Sequence, residues 1–431
     1  MKKINLGLIG FGNVGSGVVK ILKEKKVFLY EKTGLDINIK KICDVNLTSA
    51  RNTKVDKGIL TSNPNDILED PQIDILIELI GGIHPAKEYI TTAIKNGKNV
   101  VTANKALIAH YGQELFSLAA DKGKNIYFEA SVGAGIPIIK SLRESLIANS
   151  FFSILGIVNG TSNYVLSSMS KENRTFQEAL KEAKDKGFAE KDPTLDIEGM
   201  DSAHKLIILV YLCFGRLVSI KEVFIEGISR ISLADVKYAK ELGFEIKLLA
   251  VAQKEDTDLE VRVHPTLVPQ DHLLASVDSV FNAIYVEGDL AGDLLFYGPG
   301  AGQLSAASAV VSDIVDLTQD IKAGLFKPTM NIIQDKSIKR LRKIDETLSR
   351  YYIRFTALDK PGVLARISGI LAKFKISIAS VTQKEKNKSQ LVPIVMIIHE
   401  TKEKDLRSAL NIISRLDAIK EPPVAIRMEE V

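Results

Sequence analysis

Residues 190–205, EKDPTLDIEGMDSAHK, hold five acids, Glu190, Asp192, Asp196, Glu198 and Asp201, and close on Lys205. The apolar run LIILVYLCF follows at once. Asp201 and Lys205 stand four apart, so a helix starting near Met200 puts them on one face. On a solvated surface such a pair is worth only about 0.2–0.5 kcal/mol. The helix that follows is apolar nearly all round, which predicts burial. A lysine entering a buried helix can donate a proton, and carboxylates beside it suit an ammonium group. Asp192, Asp196 and Glu198, around Pro193, are expected in a solvated loop, and His204, off the shared face, in packing. The spacing is not that of an EF-hand, so a divalent metal is not indicated.

A second pattern lies at the N-terminus. INLGLIG is a short apolar run, and FGNVGSGVVKILKEKK has helical periodicity. At their junction Gly10, Phe11, Gly12, Asn13, Val14 and Gly15 spell G-x-G-x-x-G. Gly10 permits a tight turn, Gly12 lets the backbone approach a pyrophosphate, and Gly15 lets the helix pack close to the strand. NAD or NADP is the expected ligand, and a glycine-rich turn of another α/β fold is the plainer reading. Asp44, at the end of the second strand, can hold a ribose 2′-hydroxyl, or be a solvated strand end. Arg51, just beyond, can instead hold a 2′-phosphate. Asp44 follows Gly15 by 29 residues, more than the usual ~20, because KKVFLYEKTGLD lengthens the connection. A third candidate is EASVGAGIPIIKSL, where Gly133 and Gly135 free the backbone. Such a turn exposes carbonyls that can hold a monovalent cation beside Glu129; a plain turn is the alternative.

These residues must be positioned by ordered elements. INIKKICD, IDILIELIGG, NVVTAN and NIYFEAS read as strands separated by helical stretches such as KALIAHYGQELFSLAADKG. The alternation predicts an α/β fold with a Rossmann-type, doubly wound parallel sheet. Apolar residues are 45% and charged residues 26% of 431, an ordinary globular balance large enough for two or three domains. The net charge of +4 is small and dispersed, and no basic block carries interleaved aromatics, so nucleic acid is an unexpected partner. No apolar run reaches the ~18 residues a bilayer demands, so no membrane is expected. Two cysteines, Cys43 and Cys213, make no disulfide framework and fit a reducing cytoplasm.

Six segments resemble one family in its own order: GLIGFGNVGSGV, VVTANKALIA, EASVGAGIPII, NGTSNY, GFAEKDPTLDIEGMDSAHKL and YGPGAGQLSAASAVVSDI. The chain resembles the homoserine dehydrogenases over about residues 1–320. The resemblance implies NAD(P)H-dependent reduction of L-aspartate 4-semialdehyde to L-homoserine, in threonine, methionine and isoleucine biosynthesis. It implies that Glu190 and Asp201 hold the substrate's amino end, that Gly187 lines the site, and that Lys205 donates the proton. Lys105 is implied between nicotinamide and substrate, with Gly81 a backbone contact near the nicotinamide. Glu129 and the carbonyls of Val132, Ala134 and Ile136 are implied to bind sodium or a similar ion. Gly300 and Gly302 are implied to bring a returning helix, 300–319, back to the cofactor domain. The alternatives are an aldehyde-to-acid dehydrogenase, which needs a cysteine thiolate, and a non-catalytic nucleotide-binding regulator, which needs no proton donor.

Residues 320–350 are charged and irregular, and are expected to be a linker. From 351, YYIRFTALDKPGVLARISGILAKFKISIASVTQ, LVPIVMIIHET and PPVAIRMEEV follow a ferredoxin-like βαββαβ pattern. It resembles an ACT domain, most specifically at LDKPGVLA; a generic dimerisation module is the plainer reading. Free N–H groups after Gly362, at Val363, and Ile378 on the next strand are expected at a regulatory site between paired chains. L-threonine is the effector that the family and pathway imply, and a homodimer or homotetramer the assembly. The expected layout is a cofactor domain over 1–134 plus 300–319, an α+β substrate and dimerisation domain over 135–299, the linker, and the module at 351–431. On that layout, deleting 351–431 is expected to leave activity intact.

Overall fold

The computed structural model describes residues 3–47, 53, 55–326, 335–383 and 391–429. The chain forms two compact units: Met1–Ser150 with Ile207–Ile220 and Asp289–Asp335, and Phe151–Leu206 with Lys221–Gly288 and Lys336–Val431.

In the first unit, six strands form an all-parallel sheet: Leu60–Thr61, Ile37–Cys43, Ile4–Ile9, Ile75–Glu78, Asn99–Thr102 and Ile126–Tyr127, in that spatial order. This is the doubly wound order, with its switch point between Ile4–Ile9 and Ile75–Glu78. Ile4, Leu6, Leu8, Ile75, Ile77 and Val101 are fully buried. Strands covered on both faces must be apolar throughout, which is why they appear in the sequence as continuous runs. The helix Asn13–Glu24 and the returning helix Gln303–Ala323 pack on this core through Val18, Val19, Ala307, Val310 and Ile314.

In the second unit the strands Phe281–Gly288, Phe151–Ile157, Phe244–Glu255 and Asp258–Pro269 pair antiparallel. The sheet does not stop there. Val424–Met428 pairs parallel with Asp258–Pro269 at Thr266 and Leu267, and Leu348–Leu358, Leu391–Lys402 and Ile378–Gln383 follow antiparallel. The helices Val363–Lys373 and Glu403–Ile413 complete a βαββαβ module around Tyr351, Ile353, Phe355, Ile367, Met396 and Leu406. The C-terminal module is therefore an extension of the central sheet.

The segment expected as an irregular linker is ordered over much of its length. The returning helix runs on to Ala323, and the first strand of the module begins at Leu348. Between them Arg340–Leu341 pairs with Asp258 and Leu259. Charges of this segment form ion pairs, Arg340 with Asp258 at 2.8 Å and Arg342 with Glu260 at 3.0 Å. Residues 327–334 lie outside the described residues. Among the described residues, no helix is long and apolar enough to cross a membrane.

Candidate active site

The cofactor loop follows from backbone sterics. Gly10 has φ +100°, and a Cβ there would sit 2.6 Å from the Leu79 carbonyl carbon; at Gly15 it would sit 2.1 Å from the Gly10 carbonyl oxygen. Only glycine fits either position. A Cβ on Gly12 would meet no atom within 4 Å, so the loop presents bare backbone there at the start of the helix. That open approach fits a pyrophosphate. Phe11 is buried, and its N–H donates to the Asp44 carboxylate at 2.7 Å. Asp44 also accepts from the Asn46 N–H at 2.8 Å, so it anchors the loop as well as ending its strand. Gln303, on the returning helix beyond Gly300 and Gly302, donates to the Asn13 carbonyl and the Ser16 hydroxyl, both at 3.0 Å. Val14 packs against the core. Arg51 lies outside the described residues.

Glu78, which closes the fourth strand in the chain, is a feature that sequence reasoning missed. It is fully buried and accepts from the Thr102 hydroxyl at 2.7 Å and the Ile80 N–H at 2.9 Å. Burial pushes its carboxyl above the usual range, against these hydrogen bonds. Asn104 donates to the Gly82 carbonyl at 2.6 Å, while its Oδ1 caps the helix Lys105–Asp121 at the Leu107 N–H. Glu78, Thr102 and Asn104 thus hold the Gly81–Gly82 turn and the helix end that carries Lys105.

The Glu129 carboxylate is buried and accepts from the N–H groups of Ile139 (2.9 Å) and Lys140 (2.8 Å). Its own N–H donates to Asp313 at 2.8 Å. Desolvation, opposed by those N–H donors, raises the Glu129 pKa; desolvation and then the Glu129 charge raise that of Asp313. Two buried carboxylates beside the turn of Val132, Ala134 and Ile136 make an oxygen-rich donor set, which fits a hard monovalent cation. Ala134 holds φ +52°, while the Ile136 carbonyl already accepts from the Ile138 N–H at 2.8 Å.

In the second unit the stretch 190–205 resolves into a turn of helix, Thr194–Ile197, and the start of the helix Met200–Phe214. Asp201 and Lys205 do share a face, and both are buried, with 8% and 10% of their side chains exposed. The surface-pair reading is thereby excluded. Lys205 Nζ donates to Asp201 at 2.6 Å and to the Val158 carbonyl at 2.6 Å. Asn159 donates to Asp201 at 2.9 Å and to Asp196 at 2.7 Å, while its Oδ1 caps the helix Gly160–Glu172 at Ser162. Asp196 is therefore part of the cluster and not a solvated loop residue. The reason is Asn159, whose capping position aims its amide at both acids. Thr161 donates to the Phe188 carbonyl at 2.7 Å, tying the Gly187 loop to the same helix. Gly187 has φ +75°, and Glu190 is exposed on that loop. His204 is half-buried.

The cysteines are unsuited to thiolate chemistry. Burial, with help from the charge of Asp44, pushes the Cys43 thiol up to about 11, and burial raises Cys213 further. The aldehyde-to-acid reading thus lacks its nucleophile. In the C-terminal module, Gly362 has φ +85° and opens onto free space before the helix Val363–Lys373. The expected free N–H at Val363 is not found: its side chain is in the module core and its N–H closes the turn onto the Lys360 carbonyl at 3.3 Å. Ile378 begins the strand at the far edge of the sheet.

Comparison with known proteins identifies the family and its domains. Residues 137–315 match the family model described as homoserine dehydrogenase, residues 10–129 its NAD binding domain, and residues 351–418 an ACT domain. The homoserine dehydrogenase of Neisseria gonorrhoeae is 42% identical over all of both chains, and that of Bacillus subtilis is 38% identical over all of this chain and 99% of its own. Among solved structures, a homoserine dehydrogenase from Thiobacillus denitrificans superposes with a TM-score of 0.90 and 43% identity, over 100% of this chain and 99% of that one. A hyperthermophilic archaeal homoserine dehydrogenase in complex with NADPH superposes over 74% of this chain and 98% of its own, with TM-score 0.64 and 29% identity. A dinucleotide loop, a buried lysine–aspartate pair and full-length relatives at this identity agree: the chain belongs to the homoserine dehydrogenase family.

Proposed function

We propose that the chain reduces L-aspartate 4-semialdehyde to L-homoserine with NADPH or NADH. The observation that carries this reading is the buried Lys205–Asp201 pair, held by Val158 and Asn159. When bound, the reduced nicotinamide would supply the hydride for the aldehyde carbon. The side chains described here supply the rest. Negative charge grows on the aldehyde oxygen, and the Lys205 ammonium, fixed by Asp201, stabilises it and delivers a proton. Preorganisation matters because the ammonium does not have to reorient during the step. Asp201, with Glu190 from the Gly187 loop, offers negative charge for the substrate's ammonium, and Asp196 on the shared Asn159 adds to it. The Gly10–Gly15 loop, Asp44, Gly81 and the Lys105 helix end would hold the coenzyme. Glu129 with the Val132, Ala134 and Ile136 carbonyls would hold sodium or a similar ion.

For regulation, the reading is a homodimer or homotetramer that binds L-threonine between paired C-terminal modules. Gly362 offers open backbone at a helix start, and the Ile378–Gln383 strand offers an exposed edge for a second chain. To inhibit, threonine must bind the less active state more tightly. A cytoplasmic setting fits this chemistry. The test is coenzyme reduction by homoserine at alkaline pH, run in parallel with NAD and NADP and repeated with millimolar threonine. Homoserine-dependent reduction supports the reading, and no reduction with either coenzyme contradicts it.

A further inference from the structure

The join between the C-terminal module and the central sheet leads directly to the substrate cluster. Arg427, on the module's last strand, is 3% exposed and donates twice to Glu403, at 3.0 and 2.7 Å, within its own module. Its third contact leaves the module: Nη1 donates to Glu226 at 2.9 Å. The guanidinium also lies over the Phe224 ring, 4.7 Å from its centroid. Phe224–Ile225 is a short strand beside Arg262 and Val263, and the Glu226 N–H donates to the Val263 carbonyl at 2.8 Å. Segment 224–226 is thus clamped between the module and the central sheet.

The next residues touch the substrate loop. A Cβ on Gly227 would sit 2.5 Å from the Glu198 Cα and 2.5 Å from the Ile197 carbonyl oxygen. The Ile228 N–H donates to that same carbonyl at 2.8 Å. Residues 196–199 in turn carry Asp196 and lead through Gly199 into the helix of Asp201 and Lys205. Gly199, at φ +83°, lies close enough to Ile225 and Val263 that a Cβ would be 3.2 Å from each. The first step, Arg427 to Glu226, is a half-buried ion pair, and from Glu226 onward each step is a backbone hydrogen bond or a close backbone approach, so a shift of the 224–227 backbone is passed on to residues 197–199.

We propose that Arg427 is a positioning residue of the substrate site, acting through Glu226 and Gly227 on the loop that sets Asp196 and Asp201. The C-terminal module then belongs to the substrate site's framework, and an effector that moves the last strand of the module moves the carboxylates that hold the substrate. The inference rests on the substrate assignment above only in its kinetic readout.

Two variants test it without touching the cluster or the module core. Glu226→Gln removes the charge that Arg427 holds. Gly227→Ala wedges a methyl group against Ile197 and Glu198, at a position where glycine's left-handed freedom is not in use. Both should raise the KM for homoserine on the order of tenfold to a hundredfold, as small misplacements do, with the KM for coenzyme unchanged. Hydrogen exchange at amides 197–203 should quicken in both, a readout that needs no substrate. Glu226→Asp should recover part of the loss, and Arg427→Gln combined with Glu226→Gln should be no worse than Arg427→Gln alone. Unchanged homoserine KM together with unchanged exchange in both variants overturns the proposal. Altered exchange in a protein that does not oxidise homoserine would uphold the path and contradict the substrate assignment.

Discussion

Glu78, at the end of a strand, and Asp201, in the first turn of a helix, are both buried carboxylates, and they are satisfied in opposite ways. Glu78 receives the Thr102 hydroxyl and backbone N–H groups, all neutral donors. Asp201 receives an ammonium, from Lys205, and an amide, from Asn159. A carboxylate ringed by neutral donors bears the whole desolvation cost of its charge, and burial accordingly raises the Glu78 pKa. It can hold a scaffold but has no mobile proton partner. A carboxylate beside an ammonium fixes a group that can give a proton away. On the proposed function, the first arrangement supports coenzyme binding and the second supplies the proton.

The comparison can be broken at several points. The largest effect is expected from deleting residues 351–431. Glu226 would lose Arg427, Arg262 would lose Glu429, and Asp235 would lose Arg354 and Tyr352. Arg262 and Asp235 are buried, and stranding them costs about 3–5 kcal/mol for each broken pair, whereas the half-exposed Glu226 loses less. The truncated chain should be inactive and melt at lower temperature or fail to fold, in contrast to the intact activity that the sequence suggests. A truncated chain with full turnover would show the joined sheet to be dispensable.

Next is Asp201→Asn. It keeps the shape of the cluster but leaves Lys205 without its charge partner, so kcat with homoserine should fall by roughly a hundredfold, while coenzyme affinity measured by fluorescence stays the same. If coenzyme affinity fell as far as kcat, Asp201 would have to be assigned to the scaffold class with Glu78. A smaller effect should follow Glu78→Leu, which leaves the Thr102 hydroxyl and two N–H groups unsatisfied at about 1–3 kcal/mol each. Its signature should be reduced stability and weaker coenzyme binding, with the homoserine KM preserved.

The smallest effect is one of pH. A carboxyl whose folded-state pKa is raised contributes stability that is fully present below its unfolded pKa and is lost as pH rises through the folded value. The stability advantage of the wild type over Glu78→Gln should therefore shrink as pH rises from the ordinary glutamate range, in thermal melts from acid to neutral pH. An advantage that grew with pH would mean the ionised form is the favoured one.

Much of this was legible in the sequence. G-x-G-x-x-G is a local pattern whose meaning depends on the adjacent strand and helix, and both are local too. The Asp201–Lys205 pair is legible because helical spacing fixes its face and the following apolar run fixes its burial. Asn159 was not legible: capping Ser162 is a local signal, but its contacts with Asp196 and Asp201 span 37 and 42 residues. Glu78 left a weak signal, an acid closing the apolar run IDILIEL. The order in the 320–350 segment was not legible because the partners of Arg340 and Arg342 lie more than 80 residues away, at Asp258 and Glu260. Glu190 is the opposite case, a residue implied by resemblance that stands exposed on its loop.

The central claim is that the Lys205 ammonium is the proton donor. Its most direct test is the turnover of purified Lys205→Ala with homoserine, measured beside its affinity for reduced coenzyme. Turnover should fall by roughly 10² to 10⁴, the usual contribution of a positioned acid–base group, with coenzyme affinity and melting behaviour kept. Near wild-type turnover in a folded, coenzyme-binding Lys205→Ala protein would contradict the account.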